Sequence, residues 1–183
     1  MYVVESDFMY KGFRCVGIFG DMGHRCGYVG IPKSHPLYGK NYSDTLKAKA
    51  RDVEGEPIGK RGIMSLFAFP KDPDDAIQMD VYFNVHGSLT YAGGGEQSTY
   101  PVESDLWWLG FDCGHAGDRV DIEALKKYFG DTERVKRNLE IGGYLLLDGD
   151  VVRTKDYVQE QCKDLADQII EYCEKFEEDY EWI

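Results

Sequence analysis

Val158, Cys162, Leu165, Ile169, Cys173 and Phe176 follow one another at steps of four, three, four, four and three residues. That spacing places all six side chains on one stripe of an α-helix. A helix that is apolar along one side only has to bury that side against another element. Thr154 stands before it as an N-cap. From Lys155 to Ile183 there are ten acidic and three basic residues, net −7 of the chain's total of −12. The negative charge therefore gathers on the outer face of this last helix.

The partner for the stripe is read from the segments before it. Residues 13–19 alternate apolar with small or polar side chains, as a half-buried strand does, and 26–31 form a second β-rich run ended by Pro32. Residues 63–69, with Phe67 and Phe69 on one face, read as a strand. So do 79–85, through Val81, Phe83 and Val85, and 106–111, through Trp107 and Trp108. Residues 88–91 continue the 79–85 strand past Gly87, and Gly93-Gly94-Gly95 reads as a turn. Residues 33–60 show no steady period and read as a long excursion with a short helix near 43–51. Asp121 caps a short helix that turns Ile122, Leu125 and Phe129 inward and stops at Gly130. Residues 144–147 form a short strand ended by Asp148-Gly149. Strands joined by turns rather than helices pair antiparallel. The expectation is one α+β domain over residues 1–183: an antiparallel sheet with a short helix and a long acidic C-terminal helix packed on it.

Composition excludes several classes. None of the 183 residues belongs to an apolar run of about 18, so no membrane-spanning helix is expected. The first ten residues carry Glu5 and Asp7 and lack a basic start followed by an apolar block, so they do not read as a signal peptide. Cys15, Cys26, Cys113, Cys162 and Cys173 form no CxxC pair, which points to free thiols in a reducing cytoplasm and to no zinc site of the finger type. No cofactor motif is present. A net charge of −12 argues against a general basic surface for nucleic acid.

The densest group of reactive side chains is Gly110-Phe111-Asp112-Cys113-Gly114-His115-Ala116-Gly117-Asp118, at the end of a tryptophan-rich strand. Asp112, His115 and Asp118, with His86 from another strand end, have the ligand types of a divalent metal site or of general acid–base chemistry. The structural reading of the same residues has both aspartates capping backbone amides and His115 bonding a carbonyl in a tight turn. Cys113 beside His115 invites a nucleophile-and-base reading, against which stands the commoner role of a small buried thiol. Gly20 to Tyr28 holds glycines at a phosphate-loop-like spacing but lacks the lysine and hydroxyl that complete one, so it reads as a hairpin turn. His35-Pro36-Leu37-Tyr38-Gly39 reads as a rigid aromatic turn. The acidic residues Glu171, Glu174, Glu177 and Glu178 are either a solvated face or a surface suited to a basic groove.

The strings Gly27-Tyr28-Val29-Gly30-Ile31-Pro32 with His35-Pro36-Leu37-Tyr38-Gly39, Val85-His86-Gly87-Ser88-Leu89-Thr90-Tyr91 and Trp107-Trp108-Leu109-Gly110-Phe111-Asp112-Cys113-Gly114-His115-Ala116-Gly117-Asp118, with Tyr157-Val158 leading to Cys162 and Leu165-Ala166, are spread over most of the chain's length, from residue 27 to residue 166. Together they resemble a family of small proteins spread through bacteriophages and bacterial genomes. The family more often carries glycine where this chain has Ser88. A type II-A anti-CRISPR protein, an inhibitor of the RNA-guided DNA nuclease, is counted in that family. The resemblance implies binding rather than turnover, with docking on the nuclease–guide RNA complex that blocks DNA engagement or cleavage. It carries over no contact residue; Glu171, Glu174, Glu177 and Glu178 are an electrostatic assignment.

Three readings follow. The leading one is a cytoplasmic phage-type anti-defence protein that inhibits a CRISPR nuclease by binding, with a homodimer suggested by Tyr172, Phe176, Tyr180 and Trp182. The alternative is a metal-assisted hydrolase of a nucleotide or nucleic acid that uses His86, Asp112, His115 and Asp118, three of which must converge on one ion. The third is a nucleotide-sequestering module built around the paired tryptophans, which requires a deep aromatic pocket.

Overall fold

A computed structural model describes residues 1–53, 67–130, 132, 133, 135–137, 140 and 149–177. The protein is α+β. Strands β1 (Tyr2–Tyr10), β2 (Phe13–Gly20), β3 (Arg25–Ile31), β6 (Tyr91–Gly94) and β7 (Trp107–Asp112) form one antiparallel sheet in the order β1-β2-β3-β7-β6. Two small pairs lie outside it. They are β4 (Thr45–Lys49) with β5 (Ala76–Gln78), and the two-residue β8 (Asp118–Arg119) parallel to β9 (Val151–Val152). Among the described residues, α1 (Met79–Tyr82), α2 (Ile122–Phe129) and α3 (Lys155–Phe176) are helices, and residues 133, 135–137 and 140 are helical as well.

The apolar stripe behaves as its period requires. Val158, Cys162, Leu165, Ile169 and Cys173 are buried against β2 and β3, and Phe176 packs at the edge of the same core. Thr154 caps α3 by accepting from the Tyr157 amide, and Asp121 caps α2 by accepting from the Ala124 amide. In α2, however, Ala124 and Leu125 are buried while Ile122, expected inward, is exposed.

Strands β2 and β3 are not half-buried. Their odd-numbered side of Cys15, Val29 and Ile31 faces α3, and the other side also disappears. There Val16, Ile18, Tyr28 and Trp108 are covered by Tyr100, Val102 and Leu106 from the 95–106 segment. Alternation in sequence reports two faces but does not say whether a loop returns over the second.

Glycine and aromatic residues face each other across β3 and β7. The register pairs Gly27 with Phe111, Tyr28 with Gly110 and Gly30 with Trp108. In each pair the ring lies where the glycine has no Cβ. A Cβ on Gly110 would fall 2.5 Å from Tyr28, and one on Gly30 would fall 3.0 Å from Trp108. Much of the motif character of both strands is thus complementary packing of ring against backbone.

Other expectations are corrected. The short helix near 43–51 is β4 followed by a 3-10 turn (Ala50–Val53). The strand expected at 79–85 is replaced by β5 just before it and the single turn of α1. Met79, Val81, Phe83 and Val85 are all buried nonetheless, so the period-two pattern reports burial of a twisting segment, not a ladder. Of the strand expected at 63–69, residues 63–66 lie outside the described residues, and 67–69 are not in a strand, with Phe67 82% exposed. The strand at 144–147 also lies outside them. Gly93 and Gly94, expected in a turn, close β6. Strand β1 was not anticipated at all, although Tyr2, Val3, Val4, Phe8 and Tyr10 have the side chains of a strand.

Tyr172, offered for a dimer face, is 1% exposed, and Phe176 meets Tyr82 edge-on and lies tilted against Tyr172. The Tyr172 ring is thus not available to a second copy, whereas Phe176 is only partly covered. Tyr180 and Trp182 lie outside the described residues. Among the described residues no helix is long and apolar enough to cross a membrane.

Buried His35 ties the 35–39 turn to the core. Its Nδ1 accepts from the Leu37 amide at 3.1 Å and its Nε2 lies 3.4 Å from Cys173 Sγ. Burial lowers its pKa to about 4, with Glu177 opposing. The unfolded chain binds a proton near pH 6.5 and the folded one not until about 4, so stability rises with pH across that window. Urea midpoints measured from pH 7 down to pH 4 are expected to fall, with a total loss approaching 3 kcal/mol. His35→Gln, even if less stable at pH 7, should flatten that slope; an unchanged slope would assign it to other groups.

Candidate functional site

Three segments that are far apart in sequence meet beyond the end of β7. One is the loop 83–90, the second is the turn 113–118 that leads into β8, and the third is residues 153–157 at the start of α3. His86 Nε2 lies 2.7 Å from Asp118 Oδ2, and His86 Nδ1 lies 2.9 Å from the Tyr157 hydroxyl. Since a carboxylate accepts only, Nε2 carries hydrogen toward Asp118, and Nδ1 shares a hydrogen bond with the Tyr157 hydroxyl. Arg153 donates from Nε to Asp118 Oδ1 at 2.7 Å and covers the Tyr157 ring at 5.1 Å. The His115 amide donates to Asp118 Oδ2 at 3.0 Å. Burial acts to raise the Asp118 carboxyl, but the bonds from His86, Arg153 and the His115 amide outweigh it and hold the pKa at about 2.

This inner layer is closed. Asp118 and His86 are both buried, and both ring nitrogens of His86 have protein partners. The carbonyl of Arg153 accepts from Arg25 at 2.9 Å, which joins the layer to the buried Arg25–Glu5–Asp121 ion pairs. Its role is to fasten the first turn of α3 to the sheet.

An outer layer sits on top. Asp112, at the end of β7, accepts from Thr90 Oγ1 at 2.9 Å and from the Gly114 amide at 3.0 Å. His115 Nε2 is 3.4 Å from Asp112 Oδ1, an ion-pair distance without a hydrogen bond. The His115 ring rests on Gly87, where there is no room for a Cβ, and lies 5.9 Å from the His86 ring. Asp112 and His115 are each about one-third exposed, 36% and 35%.

The four residues named for a metal site therefore form two separate couples, His86 with Asp118 and His115 with Asp112. Among the described residues no group of three or more His, Cys, Asp and Glu is placed to hold a metal ion. The convergence that the hydrolase reading requires is not met there. Cys113 is 1% exposed, and burial, then Asp118, push its thiol well above the ordinary range, which leaves no reactive thiolate beside His115. Among the described residues the tryptophans line no aromatic pocket. Trp108 is fully buried with its indole N–H on Ser104 Oγ, and Trp107, on the opposite side of β7, donates to the Lys40 carbonyl.

No family model, no curated protein and no solved structure matches this chain.

Of the acidic residues named on the last helix, Glu171 and Glu174 are exposed. Glu177 is not a surface carboxylate: it accepts from the Tyr172 hydroxyl at 3.1 Å and pairs with Lys47. Glu178 lies outside the described residues. Arg153 and Thr90 were not singled out from the sequence. Thr90 lies within the Val85–Tyr91 motif, but nothing in the spacing of Arg153 points to Asp118.

Ser88 stands in the left-handed region at φ +75, next to Gly87 at φ +68, and is buried. A side chain there is strained. Ser88→Gly is expected to stabilise the protein by about 1 kcal/mol, raising Tm by roughly 2–4 °C. A calorimetric Tm that fell instead would mean the buried hydroxyl contributes more than the strain costs.

Proposed function

We propose that this protein is a phage-type anti-defence factor of the host cytoplasm that binds a type II CRISPR nuclease loaded with its guide RNA and blocks DNA engagement or cleavage. The observation that carries the reading is charge. The chain has net −12, and Glu171 and Glu174 stand exposed on α3 with no ion pair among the described residues. Such a surface complements the positively charged channel in which an RNA-guided nuclease holds nucleic acid. The resemblance of the four motif strings supports the same reading. The pairing of His86 with Asp118 and of His115 with Asp112 withdraws support from the metal-hydrolase alternative.

The test is a pull-down and DNA-cleavage assay with purified guide-loaded nuclease, with and without a chelator. Stoichiometric inhibition that survives chelation supports the proposal; no binding and no inhibition removes it for that nuclease. Changing Glu171 and Glu174 together to lysine is expected to slow association most at low salt, and salt-independent kinetics would sink the electrostatic account.

A further inference from the structure

We infer that this acidic protein carries one basic face, Arg119, Lys126, Lys127 and Arg137, and that this face takes the phosphate backbone of a nucleic acid. The inference goes beyond the nuclease-binding reading and does not depend on it. Carboxylates outnumber lysines and arginines 33 to 21. Among the described residues most lysines and arginines accordingly sit in ion pairs. Arg119, Lys126, Lys127 and Arg137 are exposed, belong to none of those pairs, and follow one another along a single stretch from β8 through α2 to the helical residues after it. The other cations without an ion pair among the described residues, Lys40, Lys71 and Lys155, lie on three separate segments. Nearby carboxylates are already engaged: Asp118 holds Arg153, Asp121 holds Arg25, and Glu133 holds Lys136. Glu123 is the one carboxylate of α2. The helix dipole favours Lys126 and Lys127 in the last turn of α2 but places no demand on Arg119 or Arg137.

One small core gathers these cations. Phe19, Ala124, Leu125 and Val135 form it, with Val120 and Phe129 packed against them, so the residues next to Arg119 and Arg137 share a cluster with α2. Phe129 stacks on Phe19 with ring centroids 6.2 Å apart, which fixes the apolar side of α2 to the sheet and leaves Lys126 and Lys127 outward. The same packing selects the partner. A membrane-surface helix needs its apolar side free, and here that side is spent on the sheet. A protein interface is built around an apolar or aromatic centre, and Ile122 is the one large apolar side chain that α2 exposes. Nucleic-acid interfaces are more polar and far more positive, and lysine and arginine contacts to phosphate supply most of their sequence-independent affinity. Four cations with little apolar surface among them match that description.

The test is fluorescence anisotropy of the full chain, without nuclease, against a short mixed-sequence DNA duplex, a single-stranded RNA and poly-glutamate across a salt series. Four phosphate contacts give a slope of log affinity against log salt of about −3.6 on the duplex, a loss of about 150-fold between about 50 and 200 mM. Lys126→Gln with Lys127→Gln is expected to halve the slope to about −1.8, leaving a loss of about 12-fold over the same range. Arg119→Gln with Arg137→Gln should do the same, and it keeps the test open if thermal melts show that the lysine pair has lost its fold. Lys40→Gln with Lys71→Gln removes equal charge elsewhere and should leave the slope within about half a unit of wild type. The tighter of the two nucleic acids names the source of the phosphates. No binding at low salt, equal binding to poly-glutamate, or a slope that falls as much in the Lys40 and Lys71 variant overturns the inference. The nuclease pull-down is scored separately, so the functional reading stands or falls on its own result.

Discussion

Arg25→Met is expected to destabilise the protein by about 3–5 kcal/mol, the cost of leaving a buried charge without its partner. Arg25 meets Glu5 through Nε at 2.6 Å and Nη2 at 3.1 Å, and Asp121 through Nη1 at 2.7 Å. The same Nη1 donates to the Arg153 carbonyl, and the guanidinium lies 4.9 Å from the Phe19 ring centroid. One side chain on β3 thus holds β1, the cap of α2 and the approach to α3. The Glu5 side chain is only 5% exposed, so methionine would strand its carboxylate away from water. Urea denaturation at pH 7 measures the loss. Adding Glu5→Gln to Arg25→Met should recover part of it, because the stranded charge is then gone. A loss below about 1 kcal/mol would show that water reaches Glu5 and that the ion pairs contribute no more than a surface pair.

Gly27→Ala is expected to cost about 3 kcal/mol, at the upper end for overpacking a core, and to lower Tm by roughly 6–12 °C. Its Cβ would fall 2.7 Å from Phe111 Cε1 and 2.8 Å from Cys162 Sγ, between the sheet and α3. Neither neighbour is a flexible surface group. Phe111 is 1% exposed and Cys162 fully buried. Phe111→Leu introduced alongside should recover part of the loss by opening the space the methyl needs. If the double variant is no more stable than the sum of the single changes predicts, the ring is not what the methyl strikes.

Both predictions bear on why parts of this protein were legible in sequence and parts were not. The α3 stripe was readable because a helix repeats every 3.6 residues and its apolar side has one destination. The caps Thr154 and Asp121 were readable because they act within three residues of themselves. The segment 79–85 misled because burial in alternate residues does not require a strand, and α1 satisfies it with a single turn. Ile122 misled because which side of a two-turn helix is covered depends on where the neighbouring chain lies.

The candidate site was legible only as a list of residue types. His86, Asp112, His115 and Asp118 all lie at one end of the sheet, as their positions at strand ends suggested. Their partition into two couples was not foreseeable, because Tyr157 and Arg153, which close the inner one, arrive from the far end of the chain. Glu177 is a similar case. Periodicity sets it on the acidic face, while the approach of Lys47 from β4 draws it inward.

The local terms can be read from residue order: the helices capped by Thr154 and Asp121, the runs that become β2, β3 and β7, the lack of a membrane-length apolar stretch, and an acidic net charge. Each follows from neighbours within a turn or a pleat, or from a sum over residues. Long-range packing set the rest: Gly27, Tyr28 and Gly30 answer Phe111, Gly110 and Trp108 across a strand pair, a loop buries the second face of the sheet, and Asp118 is locked inside while Asp112 is presented outside. Those outcomes depend on contacts between segments tens of residues apart, and the energies that select them exist only once the chain has closed.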